Sequence, residues 1–175
     1  MADDTTPEDI RKLHATAPET GEERARYLMQ LTLERAKDPN DHEWSLSLFP
    51  HLTVASTTPT TMTFKFTPQP IHLNGLGNMH GGCIATLFDF CTSCALSLVS
   101  KPGFWNYLGV SRSINTTYLR PVPVYTEVLV ECELVSVGKR LAQIRGTLRR
   151  AGGRGEIFAT CEHGKFNTDP EPGKL

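Results

Sequence analysis

Between Lys65 and Lys101 the chain carries one formally charged side chain, Asp89. It stands in the apolar run Cys83-Ile84-Ala85-Thr86-Leu87-Phe88-Asp89-Phe90, directly after His80-Gly81-Gly82. A carboxylate in apolar surroundings is costly unless it is paired, hydrogen-bonded or neutralised, and such surroundings tune it for acid or base work. Gly81 and Gly82 leave backbone N–H groups uncovered at the start of a helix, where unpaired donors and partial positive charge suit an oxyanion or a polarised carbonyl oxygen. Asn74 and His80 add polar groups at the same mouth. Asn74 can donate to a carbonyl or stabilise the Asn74-Gly75 turn; His80 is better placed to cap the helix than to act as a base. Ser111, further on, can hold a water beside a carboxylate. No Gly-x-Ser-x-Gly elbow surrounds it, so it is a poor nucleophile.

These residues need elements to position them. The stretch from residue 81 to about Val99 is long enough for a helix and apolar nearly all round, which requires enclosure. Period-two alternation in Thr61-Met62-Thr63-Phe64-Lys65-Phe66-Thr67 predicts a half-buried strand. Further strands are expected over 109–119, 127–137, 140–150 and 156–167. A hairpin centred on Gly138 would set Val128 opposite Leu148 and Cys132 opposite Ile144. The same register would pair Glu131 with Arg145 and Glu127 with Arg149. Thr20-Gly21-Glu22-Glu23 is a capping box for a helix to about Lys37, with Tyr27, Leu28 and Leu31 as its apolar stripe. Thr6-Pro7 can start a shorter one. The order fits an α+β fold, an antiparallel sheet wrapped around one long helix, preceded by a helical extension. The expected organisation is an acidic arm (1–20), a helix and link (21–50), the main domain (51–168) and a short tail (169–175).

Geometry adds a constraint. Asp89 lies eight residues beyond Gly81, roughly 12 Å along the helix and about 80° around it. One reaction centre does not readily reach both within one subunit. A homodimer with shared sites, built on open sheet edges, resolves this.

Composition is that of an ordinary globular protein, with 175 residues and a net charge of −1. Residues 1–23 are acidic. Residues 138–165 carry Lys139, Arg140, Arg145, Arg149, Arg150, Arg154 and Lys165 against Glu156 and Glu162. Such a segment is either a solvated face or an anion-binding one. No nucleic-acid partner is indicated. The five cysteines are odd in number and sit in apolar surroundings, which fits reduced, buried thiols in a cytoplasmic protein. Cys91-Thr92-Ser93-Cys94 has redox spacing but lies well inside the helical run. No Cys/His cluster has zinc spacing. The N-terminus is unlike a presequence, and the 83–99 run is expected to be a core helix with no membrane span.

The motif Asn74-x5-His80-Gly81-Gly82, followed after Ala85-Thr86-Leu87-Phe88 by Asp89, resembles the hotdog-fold acyl-CoA thioesterases of the phenylacetyl-CoA and medium-to-long-chain type. Gly109-Val110-Ser111 and Asn115-Thr116-Thr117-Tyr118 continue the likeness, which covers roughly residues 50–168. The resemblance implies a thioester hydrolase of lipid metabolism that needs no cofactor or metal. Asp89 would be general base or nucleophile, and Ser111 would position water. Gly81 and Asn74 would polarise the carbonyl, with His80 supporting the loop and Gly82 binding substrate. It also implies sites between subunits of a homodimer, commonly paired into a homotetramer. An acyl-CoA substrate would bring phosphates; because the expected hairpin occupies Arg145 and Arg149, Arg150 and Arg154 are their candidate partners. Two rivals stay open. One is a hotdog enoyl-thioester hydratase or dehydratase using His80 with Asp89; the other is a non-catalytic acyl-CoA-binding module.

Overall fold

The computed structural model describes residues 20–38, 40–152 and 155–169. The expected helix at Thr6-Pro7, nearly all of the acidic arm, Arg154 and most of the tail lie outside them. Six strands, β1 (Leu52–Thr57), β2 (Thr61–Phe66), β3 (Val110–Tyr118), β4 (Val128–Val137), β5 (Leu141–Arg150) and β6 (Ile157–Phe166), form one antiparallel sheet in the order β1-β2-β4-β5-β6-β3. Among the described residues, two α-helices accompany them, α1 (Gly21–Arg35) and α2 (Gly81–Ala95). Helix α2 touches β2, β3, β4, β5 and β6, so the sheet curves around it as the sequence predicts.

Alternation explains the core. Met62, Phe64 and Phe66 of β2, Val128, Val130 and Cys132 of β4, and Ile144 and Leu148 of β5 are all buried. They close on Ile84, Leu87, Phe88, Cys91 and Ala95 of α2. Gly146 of β5 lets the helix approach: a Cβ there would stand 2.6 Å from the Phe88 ring. The apolar segment Gly81–Leu98 matches a membrane span in length and composition, and here it is the core helix. Its enclosure is partial. Gly82 is exposed, and Ala85, Thr86, Asp89 and Ser93 are half-buried, so one stripe of α2 stays open in the single chain.

Two sequence expectations need correction. The β4–β5 hairpin pairs Val130 with Leu148, Cys132 with Gly146 and Leu134 with Ile144, two residues from the expected register. Its turn is centred between Lys139 and Arg140, with the Gly138 N–H donating to Leu141 O at 2.8 Å, and a bulge lies between Leu134 and Ser136. Because the slip is even, every side chain keeps its face. The charge partners change: Arg145 pairs with Glu133 and Glu162, Arg149 with Glu131, and Glu127 with Lys65. Helix α1 has its capping box at Thr20 and Glu23. It buries Ala25 and Met29, whereas Tyr27, Leu28 and Leu31 stay partly exposed. The reason is close docking at its first turn: a Cβ on Gly21 would stand 2.5 Å from the Leu98 backbone, and Arg24 donates to Ser97 O.

The two sheet edges are unequal. Strand β3 pairs only with β6, and eight of its nine residues are exposed, among them Val110, Ile114 and Tyr118. An exposed edge of this length, carrying Val110, Ile114 and Tyr118, is a template for another strand.

Candidate active site

Asp89 projects from the open stripe of α2. Its side chain is 50% exposed, although it stands in an apolar run. Tertiary structure supplies its partners. A bulge at Arg112 interrupts the β3–β6 pairing between Ser111 and Ser113, and Ser111 stands opposite Lys165. From there Ser111 Oγ donates to Asp89 Oδ1 at 2.6 Å. Bulges re-aim side chains in this way.

Beneath the carboxylate, β6 contributes two residues that motif reading missed, His163 and Lys165. Both are buried. His163 Nε2 lies 3.4 Å from Asp89 Oδ1 but has no hydrogen-bond partner, and Nδ1 lies 2.6 Å from Thr92 Oγ1. The Thr92 hydroxyl has one proton, which it donates to Phe88 O at 2.6 Å. Thr92 Oγ1 therefore accepts from His163 Nδ1–H, and in the neutral ring Nε2 presents a lone pair toward Asp89. Burial pushes the His163 pKa down to about 4, so the neutral ring is the form at neutral pH. Lys165 Nζ donates to Ser93 Oγ at 2.6 Å; burial lowers its pKa while Asp89 raises it. It is a buried cation near the carboxylate, not part of a solvated basic face. The signal for both lay in parity, because His163 and Lys165 share the inward face of β6 with Cys161.

The second group of predicted residues assembles around the start of α2. Asn74 Oδ1 accepts from the Leu76 and Asn78 N–H groups, closing its loop. Its Nδ2 makes no hydrogen bond to the described residues and is a free donor. His80 Nδ1 accepts the Gly82 N–H at 2.9 Å, so His80 caps the helix and Gly82 is already paired. The Gly81 N–H has no partner among the described residues. Tyr118 Oη donates to Gly81 O at 2.8 Å. Asn74, Gly81, Tyr118 and Arg120 line one cleft of about 390 Å³. Asp89 and Ser111 do not line it. The structure thus gathers the predicted residues into two half-sites on one subunit, donors at one end of α2 and the carboxylate further along.

Arg150 Nε donates to Glu156 Oε2 and its guanidinium lies 5.1 Å from the Phe158 ring centroid. Arg120, which sequence reading passed over, lies 3.7 Å from the same Glu156. Two cations share one carboxylate, leaving a net positive charge beside the donor cleft. Cys91 and Cys94 are buried mid-helix; burial raises the first thiol's pKa and pushes the second up to about 12, so neither is a ready thiolate.

Comparison with known proteins bears on the family and the fold. Residues 76–157 match the model of the Thioesterase superfamily. Acyl-coenzyme A thioesterase 13 of Mus musculus is 31% identical over 91 residues, which are 52% of this chain and 62% of that protein. Its Homo sapiens counterpart is 29% identical over 114 residues, 65% of this chain and 78% of that one. The crystal structure of zebrafish thioesterase superfamily member 2 superposes with a TM-score of 0.68 at 26% identity, covering 81% of this chain and 96% of that one. This chain's antiparallel sheet wrapped on one helix is the hotdog fold, and with the Asn74, His80-Gly81-Gly82 and Asp89 motif at that helix the chain is similar to the Thioesterase superfamily over residues 76–157.

Proposed function

We propose that this protein hydrolyses acyl-CoA thioesters in the cytoplasm, at sites shared between two copies of the chain. The observation that carries the reading is the Ser111–Asp89 hydrogen bond at 2.6 Å, set apart from a cleft where Asn74 Nδ2 and the Gly81 N–H have no hydrogen-bond partner among the described residues. In this reading the donor cleft of one copy faces the open Asp89 stripe of the other, and β3 edges meet. That assembly would cover a carboxylate half exposed in the single chain. Pairing of such dimers into a tetramer belongs to the same proposal.

The thioester carbonyl oxygen sits on Gly81 N–H and Asn74 Nδ2. Asp89, oriented by Ser111, removes a proton from water as the water oxygen adds to the carbonyl carbon. The tetrahedral oxyanion is held by the same two donors, which act where charge develops. Collapse breaks the C–S bond and releases coenzyme A thiolate and the acid. His163 gives this direction a physical basis. Its Nε2 lone pair has no partner while Asp89 is ionised, and gains one when Asp89 carries the proton. The pocket is complete for the protonated base. The guanidinium groups of Arg120 and Arg150 are the proposed contacts for coenzyme A phosphates.

His80 is occupied as a helix cap, which weighs against a hydratase that needs it as a base. The decisive experiment incubates the full-length protein with acyl-CoAs of graded chain length and follows thiol release and enoyl absorbance together. Thiol release that disappears in Asp89→Asn supports the reading. Hydration of enoyl-CoA without thiol release, or tight binding without either, overturns it.

A further inference from the structure

A second groove, of about 530 Å³, opens beside α2 on the side away from the donor cleft. Its walls are Glu43, Trp44, Ser47 and Leu48 from the link after α1, Ile71 and Leu73 from the loop before α2, and Cys83 and Thr86 of the helix itself. All of the link and loop residues lie outside the segment that matches the superfamily model. The groove thus joins walls from outside the matched segment to Cys83 and Thr86 within it.

Two features define its chemistry. Trp44 is 82% exposed and Ile71 is 74% exposed, so two large apolar surfaces flank an open space. Yet Trp44 is held. Its indole N–H donates to Thr86 Oγ1 at 3.3 Å, and Thr86 in turn donates to Gly82 O. The link is tied down on both sides of it. Arg35 bridges Asp41 and Glu43, and Phe49 stacks 4.5 Å from Phe90. His72 Nδ1 accepts the Gln69 N–H, which leaves Nε2–H to donate to Ser47 O at 3.0 Å. An indole fixed by a hydrogen bond but left uncovered is a wall waiting for an apolar neighbour. The second feature is charge. No lysine or arginine lines the groove; Glu43 is its acidic wall residue, and its two histidines are already engaged, His72 with Gln69 and Ser47 and His80 as the cap of α2. The groove also adjoins the reacting end, because Thr86 and Asp89 are three residues apart on one helix, and such side chains are neighbours at about 5–6 Å.

We infer that this groove receives the hydrocarbon tail of the acyl group, with Trp44 and Ile71 as its walls, so that the N-terminal link sets chain-length preference. The inference rests on the thioesterase reading above but is tested separately.

The test uses S-alkyl coenzyme A thioethers, which lack the carbonyl and cannot be hydrolysed. The chain has two tryptophans, and Trp105 is fully buried, so a ligand in the groove is reported by Trp44 emission. Titration with butyl, octyl and dodecyl thioethers should shift that emission. Affinity should rise with length, by up to about fourfold for each methylene fully seated. Trp44→Ala should flatten that rise and weaken dodecyl binding about tenfold or more, whereas Trp44→Phe should retain most of it. Three results overturn the groove assignment. One is an unchanged chain-length slope in Trp44→Ala. Another is Trp44 emission that stays still while dodecyl-CoA binds. The third is an equal loss for all lengths with a fall in assembly mass, which makes the groove a contact between copies. Thioether binding that moves Trp44, with no thiol release from any acyl-CoA, instead keeps the groove and overturns hydrolysis.

Discussion

Asp89 is the proposed base, and its substitution is the sharpest test of that proposal. Asp89→Ala should lower kcat by about 10² to 10⁴ while the fold persists, since its side chain is half exposed. Near-normal turnover in a folded variant removes it as the base. Ser111→Ala removes one hydrogen bond to the carboxylate and should cost less, about fivefold to tenfold. A larger loss than at Asp89 reverses the two roles. His163 makes a prediction about stability. Burial pushes its pKa from 6.5 to about 4, so between those values the unfolded chain takes up a proton that the folded chain resists. Its contribution is complete above pH 6.5 and is lost as pH falls toward 4. His72, also lowered by burial, acts in the same direction. Denaturant midpoints measured across this range should fall less steeply in His163→Gln than in the parent; equal slopes reject the buried neutral ring. At this scale Asp89, Gly81, Asn74 and His80 were legible because their spacing along the chain is itself the signal. His163 and Lys165 were not, because their relation to Asp89 exists only once β6 lies beneath α2.

Among the elements, α2 and β5 meet most closely at Gly146. A side chain there would drive into Phe88, so Gly146→Val should destabilise the fold by about 1–3 kcal/mol, read from the denaturant midpoint. An unchanged midpoint means the helix can shift at little cost. The end of β5 and the start of β6 set a different question, because Arg150 and Arg120 share Glu156. Replacing both arginines with Ala should raise KM for acyl-CoA and flatten its salt dependence, with no change for a short thioester lacking the nucleotide. If KM and its salt response match the parent, the phosphates bind elsewhere. Strand positions and the capping box at Thr20 were readable, since alternation and local hydrogen bonds are short-range. The hairpin register was not. Placing Gly138 at the centre ignored a turn that runs on to Leu141 and a bulge after Leu134, and neither leaves a clear mark in composition.

For the whole molecule the prediction is that active sites cross between copies. Gly81→Val blocks the donor end, whereas a smaller group would fit, because a Cβ at Gly81 stands 3.4 Å from the Tyr118 ring. Asp89→Ala removes the base at the other end. Each variant alone should be nearly inactive. Refolded together, they should form mixed dimers with one intact site. Mixed dimers confirmed by mass spectrometry that remain as inactive as either parent would place the whole site within one copy. The sequence by itself determined the sheet-and-helix class, the motif at the start of α2 and the separation of Gly81 from Asp89. Each follows from periodicity or from the fixed rise of a helix. Tertiary structure alone decided which side of α2 stays open, which residues of β3 and β6 surround Asp89, and how the N-terminal link places Trp44 over Thr86. Those depend on how a curved sheet and a docked link enclose the helix, and local sequence patterns do not encode contacts between residues 42 or 74 positions apart.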